Sequence, residues 1–163
     1  MPATYELIST YTMPSNATSV TLSSIPSTYT DLVVVGNYKV VNSGGVGFCF
    51  RFNSDTATNY EFLGYYGNGS TNNGNYGQPY NMSYVAIALD NPLTTTVAYV
   101  NDYATTGKYR TILAHSGNSG FNGVYTGNWN NSSDAINSIT FLCDGGSNIT
   151  AGGIFTLYGI TKA

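Results

Sequence analysis

The sequence predicts an all-β fold, an antiparallel two-sheet sandwich of jelly-roll-like arrangement, and three observations predict it. Apolar and polar residues alternate with period two in run after run. Thr, Val, Ile, Tyr and Phe fill those runs, and these residues suit a pleated, half-buried surface. Turns rich in Gly, Asn and Ser separate the runs, and no window holds a helical period over several turns. Many short strands with frequent turns fold as a sandwich or a barrel. A chain of 163 residues fits one domain, residues 1–163, that folds without a metal or a disulfide.

In chain order, the candidate strands begin with Tyr5–Met13, Ser19–Ile25 and Asp31–Val40. In the third, Leu32, Val33, Val34 and Val35 run together, which predicts burial on both faces. The clearest strand follows, where Val46, Phe48, Phe50 and Phe52 alternate with Gly47, Cys49, Arg51 and Asn53. Then come Tyr60–Tyr66, Ser83–Leu89, Thr94–Tyr103, Tyr109–Ala114, Val124–Trp129, Ile136–Cys143 and Gly153–Ile160. Asn42-Ser43-Gly44-Gly45 and Asp144-Gly145-Gly146-Ser147-Asn148 supply the positive φ angles of tight connections. The expected core is Val46, Phe48, Phe50, Phe52, Ile139, Phe141, Phe155 and Leu157.

Charge is scarce. Only 8% of residues are Asp, Glu, Lys or Arg, against roughly 25% in ordinary soluble domains, and Tyr, Asn, Gly, Ser and Thr take their place. Such a surface suits contact with a neighbouring subunit or with a neutral ligand. The basic residues Lys39, Arg51, Lys108, Arg110 and Lys162 form no stripe that could neutralise phosphates, so nucleic acid is not an expected partner. No long apolar run spans a membrane, and the N-terminus does not read as a secretory signal.

No catalytic constellation stands out, and the reading is of a protein that is not an enzyme and has no cofactor. His115 is the one histidine, which rules out a His-based metal cluster, and no nucleophile elbow accompanies it. The carboxylates Glu6, Asp31, Asp55, Glu61, Asp90, Asp102, Asp134 and Asp144 include no pair singled out for glycoside chemistry. Asp31, Asp55 and Asp144 sit in turn-like settings. Cys49 and Cys143 lie inside apolar strands and read as buried free thiols, with a disulfide open only if their strands are neighbours.

Two stretches read as long polar loops, Gly67–Gln78 and His115–Asp134, both rich in Asn, Gly and Ser. Aromatic residues cluster in and beside them. Tyr65, Tyr66, Tyr76, Tyr80, Tyr125 and Trp129 are the candidate interface or ligand contacts, because Tyr and Trp beside Ser, Gly and Asn make adaptable binding surfaces.

Several phrases carry a resemblance. They are Ala3-Thr4-Tyr5-Glu6-Leu7-Ile8, the run from Val20 to Leu32, Arg51-Phe52-Asn53-Ser54-Asp55 with Asn59-Tyr60, Tyr66-Gly67-Asn68-Gly69-Ser70, Ile136 to Phe141, and Phe155 to Ile160. Together they resemble small β-rich virion structural proteins of tailed bacteriophages, especially cyanophages, over nearly the whole chain. The resemblance implies a jelly-roll-like domain on the outside of the virion, assembled in the host cytoplasm. It implies a capsid cement (decoration) protein whose partners are the major capsid protein and copies of itself, expected as a homotrimer. The alternative it leaves is a tail-fibre or spike module that recognises host surface polysaccharide. It supplies no catalytic residue to carry over.

Overall fold

The computed structural model describes residues 5–42 and 44–161. Ser43 of the expected turn, Lys162, and Ala3-Thr4 of the opening phrase lie outside the described residues. The strands are β1 (Tyr5–Thr12), β2 (Ser19–Leu22), β3 (Asp31–Tyr38), β4 (Val46–Phe52), β5 (Tyr60–Gly67), β6 (Asn72–Tyr80), β7 (Ser83–Ala88), β8 (Thr94–Asn101), β9 (Arg110–Gly117), β10 (Asn122–Trp129), β11 (Ile139–Cys143) and β12 (Ile154–Ile160). Among the described residues the helical content is one 3₁₀ turn, Asp144–Gly146.

An eight-stranded sheet of order β1-β12-β3-β8-β9-β10-β5-β6 faces a four-stranded sheet of order β2-β11-β4-β7. Every pairing is antiparallel. With the β5–β6 and β9–β10 hairpins set aside, a nested ladder remains: β1 pairs with β12, β2 with β11, β3 with β8, and β4 with β7. A long antiparallel ribbon rolled over itself gives this nesting, which defines the jelly roll. The two hairpins are insertions. They join through β10 and β5 and extend the larger sheet past β8.

The expected core holds. Phe48, Phe50, Phe52, Ile139, Phe141, Phe155 and Leu157 are buried between the sheets, with Val46 half-buried at the margin. Aromatic rings order this interior. Tyr38 stacks on Phe48 at 3.9 Å, Phe141 on Phe155 at 4.6 Å, and Phe50 meets Phe141 edge-on at 5.1 Å. The Tyr38 hydroxyl shares a 2.8 Å hydrogen bond with the Thr96 hydroxyl, so the ring is buried without an orphaned oxygen. β3 buries residues of both faces, as its apolar run predicts.

The Gly67–Gln78 reading is corrected. Most of that stretch is strand β6, with only the Asn68–Thr71 turn outside a strand. Apart from exposed Tyr76, the side chains of Asn72–Gln78 are amides and glycines, none of them fully buried, so the apolar alternation that betrays a half-buried strand is missing. The His115–Asp134 reading is corrected too. The stretch holds the end of β9, a turn and all of β10, and only its last residues form a loop.

Replacing Phe50 with Ala should cost about 3–5 kcal/mol of stability, the range for a fully buried ring. A denaturant melt shifted by less than about 1 kcal/mol would show that this ring is not core.

Candidate interaction surface

β-strand side chains alternate between faces, so the register fixes what the large sheet shows outward. One row crosses the whole sheet: Leu7, Tyr158, Val33, Tyr99, Leu113, Thr126, Leu63 and Tyr76, aligned through successive pairings. The next row reads Thr10, Thr156, Val35, Val97, His115, Val124, Tyr65 and Gly74. Leu7, Leu63, Tyr76, Leu113, Val124 and Tyr65 are each strongly exposed. Asp31 and Glu61 are the acidic groups at the outward strand positions of this face, both in the row on the far side of the apolar one, and no Lys or Arg of the described residues occupies such a position. With strands about 4.8 Å apart, the apolar row runs for roughly 34 Å.

The half of this face beyond β8 is built by two matching hairpins. In the first turn the Asn68 carboxamide oxygen accepts from the Ser70 and Thr71 amides, and the Asn68 amide donates to the Thr71 carbonyl. In the second, Asn118 does the same with Gly120 and Phe121. The Asn118 Nδ2 also donates to the Ile87 carbonyl and the Thr94 hydroxyl, which fixes the second turn to β7 and β8. Asn serves both turns because its short side chain closes a local hydrogen-bonded ring.

Between β10, β5 and β6 the face dips into a cleft of about 350 Å³ lined by Glu61, Leu63, Tyr76, Gln78, Thr126 and Asn128. Glu61 Oε1 accepts from Gln78 at 3.0 Å and from Asn130 at 2.9 Å, which holds the carboxylate in place. Tyr76 is 79% exposed beside it.

The expected contact residues divide. Tyr65 and Tyr76 lie exposed on the outer face. Tyr66 is half-buried on the inner side, edge-on to Phe121 at 5.9 Å. Tyr80 is half-buried against Phe62, and its hydroxyl donates to Asp144 Oδ2 at 3.4 Å. Tyr125 and Trp129 are corrected: both are buried in the sandwich and present no contact surface. They share strand parity with Gly123 and Gly127, which places them inward, while Val124, Thr126 and Asn128 point out. Trp129 donates through Nε1 to Asp55 Oδ2 at 2.8 Å and packs on Phe52 at 5.6 Å. The guanidinium of buried Arg110 sits 6.0 Å from its ring centroid and donates to the carbonyls of Lys108, Asn131 and Asp134. Sequence reasoning missed Leu7, Leu63, Tyr99, Leu113 and Val124, whose parity in the predicted strands was the available signal.

Several titratable groups are tied into the fold. Asp55 is pushed up by burial, but hydrogen bonds from Asn59, Trp129 and the Ala57 amide outweigh that and hold it below the usual carboxylate range. Tyr84 and Tyr80 both donate to Asp144. The Cys49 and Cys143 thiols are free and buried on neighbouring strands β4 and β11. Cys49 pairs with Leu142 and Cys143 with Phe48, so the two thiols point to opposite faces and cannot bridge without backbone movement. Burial raises Cys49 well above the ordinary thiol value and pushes Cys143 up to about 12. His115 is exposed on the outer face of β9. Among the described residues no group of three or more His, Cys, Asp and Glu could hold a metal ion, and no helix is long and apolar enough to cross a membrane.

No family model and no curated protein matches the chain. A solved structure of the infectious bursal disease virus VP2 subviral particle aligns at 11% identity over 97% of this chain and 41% of that one, with a TM-score of 0.14. The chain spans about two fifths of that protein's length, and the likeness carries no argument.

Two outcomes follow. Trp129→Ala should cost about 3–5 kcal/mol while Tyr76→Ala leaves the melt within about 0.5 kcal/mol of the parent, as expected for core and exposed surface. Equal effects in a denaturant titration would contradict the division. The second outcome concerns alkali. Burial raises the phenols of Tyr38, Tyr60, Tyr84 and Tyr125 above their ordinary value. Above about pH 10 the unfolded chain loses these protons and the folded chain keeps them, so stability present below that pH is lost as pH rises. Urea midpoints should fall from about pH 8 to about pH 11, with phenolate absorbance of the native protein lagging that of the denatured chain. A midpoint constant over that range would show these phenols open to water.

Proposed function

We propose that this chain is a virion structural protein that docks on the outside of a bacteriophage capsid through the outer face of its eight-stranded sheet, where it cements neighbouring capsid subunits. The apolar row from Leu7 to Tyr76 is the observation that carries this reading. Its members Leu7, Leu113, Leu63 and Tyr76 are exposed while Val33 between them is buried, and clustered exposed apolar residues mark an interaction site. Depletion of charge with enrichment in Tyr is the composition of an interface core. The jelly-roll nesting agrees with the virion family that the sequence resembles. Each docked copy need supply only a few kcal/mol, because many copies act together on one shell.

A second reading has its own observation. The cleft of Glu61, Leu63, Tyr76, Gln78, Thr126 and Asn128 places an exposed ring beside a fixed carboxylate and two amides, a set that suits neutral sugar hydroxyls. It favours a tail-fibre or spike module recognising host polysaccharide.

Incubation with capsids lacking this protein, followed by sedimentation, separates the two. Cement function predicts co-sedimentation that the pair Leu63→Asp and Leu113→Asp abolishes while the thermal melt is unchanged. Protein that ignores capsids but binds host polysaccharide, and loses that binding with Tyr76→Ala, overturns the cement reading.

A further inference from the structure

Four strands end the two sheets: β1 and β6 in the large one, β2 and β7 in the small one. An open edge offers unpaired main-chain groups, and proteins protect such edges by shortness, bulges, charge or cover. β2 has only four residues. β1 carries Glu6 and a bulge between Leu7 and Ser9. β7 is buried along most of its length and faces a bulge in its pairing with β4. β6 differs. It runs for nine residues with no charged side chain, and the irregularity in its ladder lies near Tyr80, away from Asn72–Tyr76.

The ladder alternation shows which groups are open. The Asn68 amide bonds the Thr71 carbonyl at the turn. The bonded pairs that follow are Tyr66 with Asn73 and Gly64 with Asn75, so Asn72, Gly74 and Tyr76 turn their N–H and C=O groups to the open side.

We propose that β6 pairs antiparallel with β6 of a second copy of this chain, about a two-fold axis at Gly74. In that register Gly74 meets Gly74, Asn72 meets Tyr76, and Asn73 meets Asn75. Each pair with outward main-chain groups exchanges both hydrogen bonds. The facing amides of Asn73 and Asn75 complement one another, and no charge opposes its copy across the seam. Self-complementarity of this kind is what an isologous contact requires, and it selects a second copy over an unrelated strand. Pro79, which has no N–H to donate, ends the pairing. The joint makes the outer faces of the two large sheets continuous, with Tyr76 of one copy opposite Asn72 of the next and the two apolar rows offset. It stands whether or not the outer face docks on a capsid.

Charge exchange at Gly74 tests the pairing. A Cβ there would meet only ring atoms of Tyr65, at 3.8 and 3.9 Å, so a side chain fits on the outer face. Sedimentation equilibrium of the full chain should give twice the monomer mass at high concentration. Gly74→Lys alone and Gly74→Glu alone should each give the monomer mass, because like charges directly opposite destabilise a strand pair. Their equal mixture should return to the doubled mass. Circular dichroism melts of both variants should match the parent. A parent that stays monomeric or shows the trimer mass that the resemblance implies, a Lys variant that keeps the parent's mass, or a mixture that stays monomeric overturns the proposal. A variant that misfolds is replaced by Tyr76→Pro, which removes one outward N–H, and a doubled mass there also overturns it.

Discussion

Eight strands on one side of the sandwich face four on the other, and most of the structure follows from that mismatch. The jelly-roll half is balanced, since β1, β12, β3 and β8 face the small sheet. The inserted half, β9, β10, β5 and β6, has mainly the edge strand β7 beneath it, with Phe52 at the end of β4 under Trp129 and Tyr60. Long side chains must therefore fill the inner side, and Tyr60, Phe62, Tyr125 and Trp129 do so from above. The Tyr84 ring lies flat over Gly47, where a Cβ would come within 1.8 Å of it, and stacks on Phe62 at 4.3 Å. The Tyr125 ring lies so close to Gly64 that a Cβ there would approach it to 2.6 Å. Aromatic area replaces the missing strands, and glycines give it room.

That filling determines the outer face. Strand parity ties each inward ring to outward neighbours, so Tyr125 and Trp129 inside put Val124, Thr126 and Asn128 outside. Position also matters. Trp129 is held by Asp55, and Arg110 gathers the carbonyls of the segment after β10, so the hairpin base is fixed from both sides. Charged groups are engaged in such local work. Lys108 pairs with Asp102 at 2.7 Å, Asp31 accepts the Asp102 amide, and Asp144 accepts two phenols. Little charge is left for the broad face of the large sheet.

The parts legible in the sequence were those with apolar alternation. Val46–Phe52 announces β4 and its inward face, and the Val-rich run of β3 announces burial on both sides. β6 was illegible by that measure because Asn73, Asn75 and Gly77 fill its inward positions. Another signal was present: Gly67-Asn68 with Asn72, and Gly117-Asn118 with Asn122, share one spacing, and both mark a turn closed by Asn. The candidate contacts mixed two populations because aromatic content was weighed without parity. Tyr125 and Trp129 alternate with Gly123 and Gly127, a pattern of crowding on one face, whereas Tyr76 stands among amides. Parity marks the members of the apolar row strand by strand, but the row itself could not be read from sequence, since its eight strands are aligned only by the sheet order.

A face of this composition also limits how it can act. With Asp31 and Glu61 as its only charged strand positions it has little field to steer a partner from a distance, so association through it would be slow to start and little affected by salt. Specificity then depends on shape and on hydrogen bonding by Thr, Asn and Tyr. Such a contact is weak when single and durable when repeated, because linked copies rebind before they escape. A repetitive surface provides that repetition, and a solitary soluble partner does not. The support for the proposed assembly role therefore comes from the physical character of the sheet more than from any single residue.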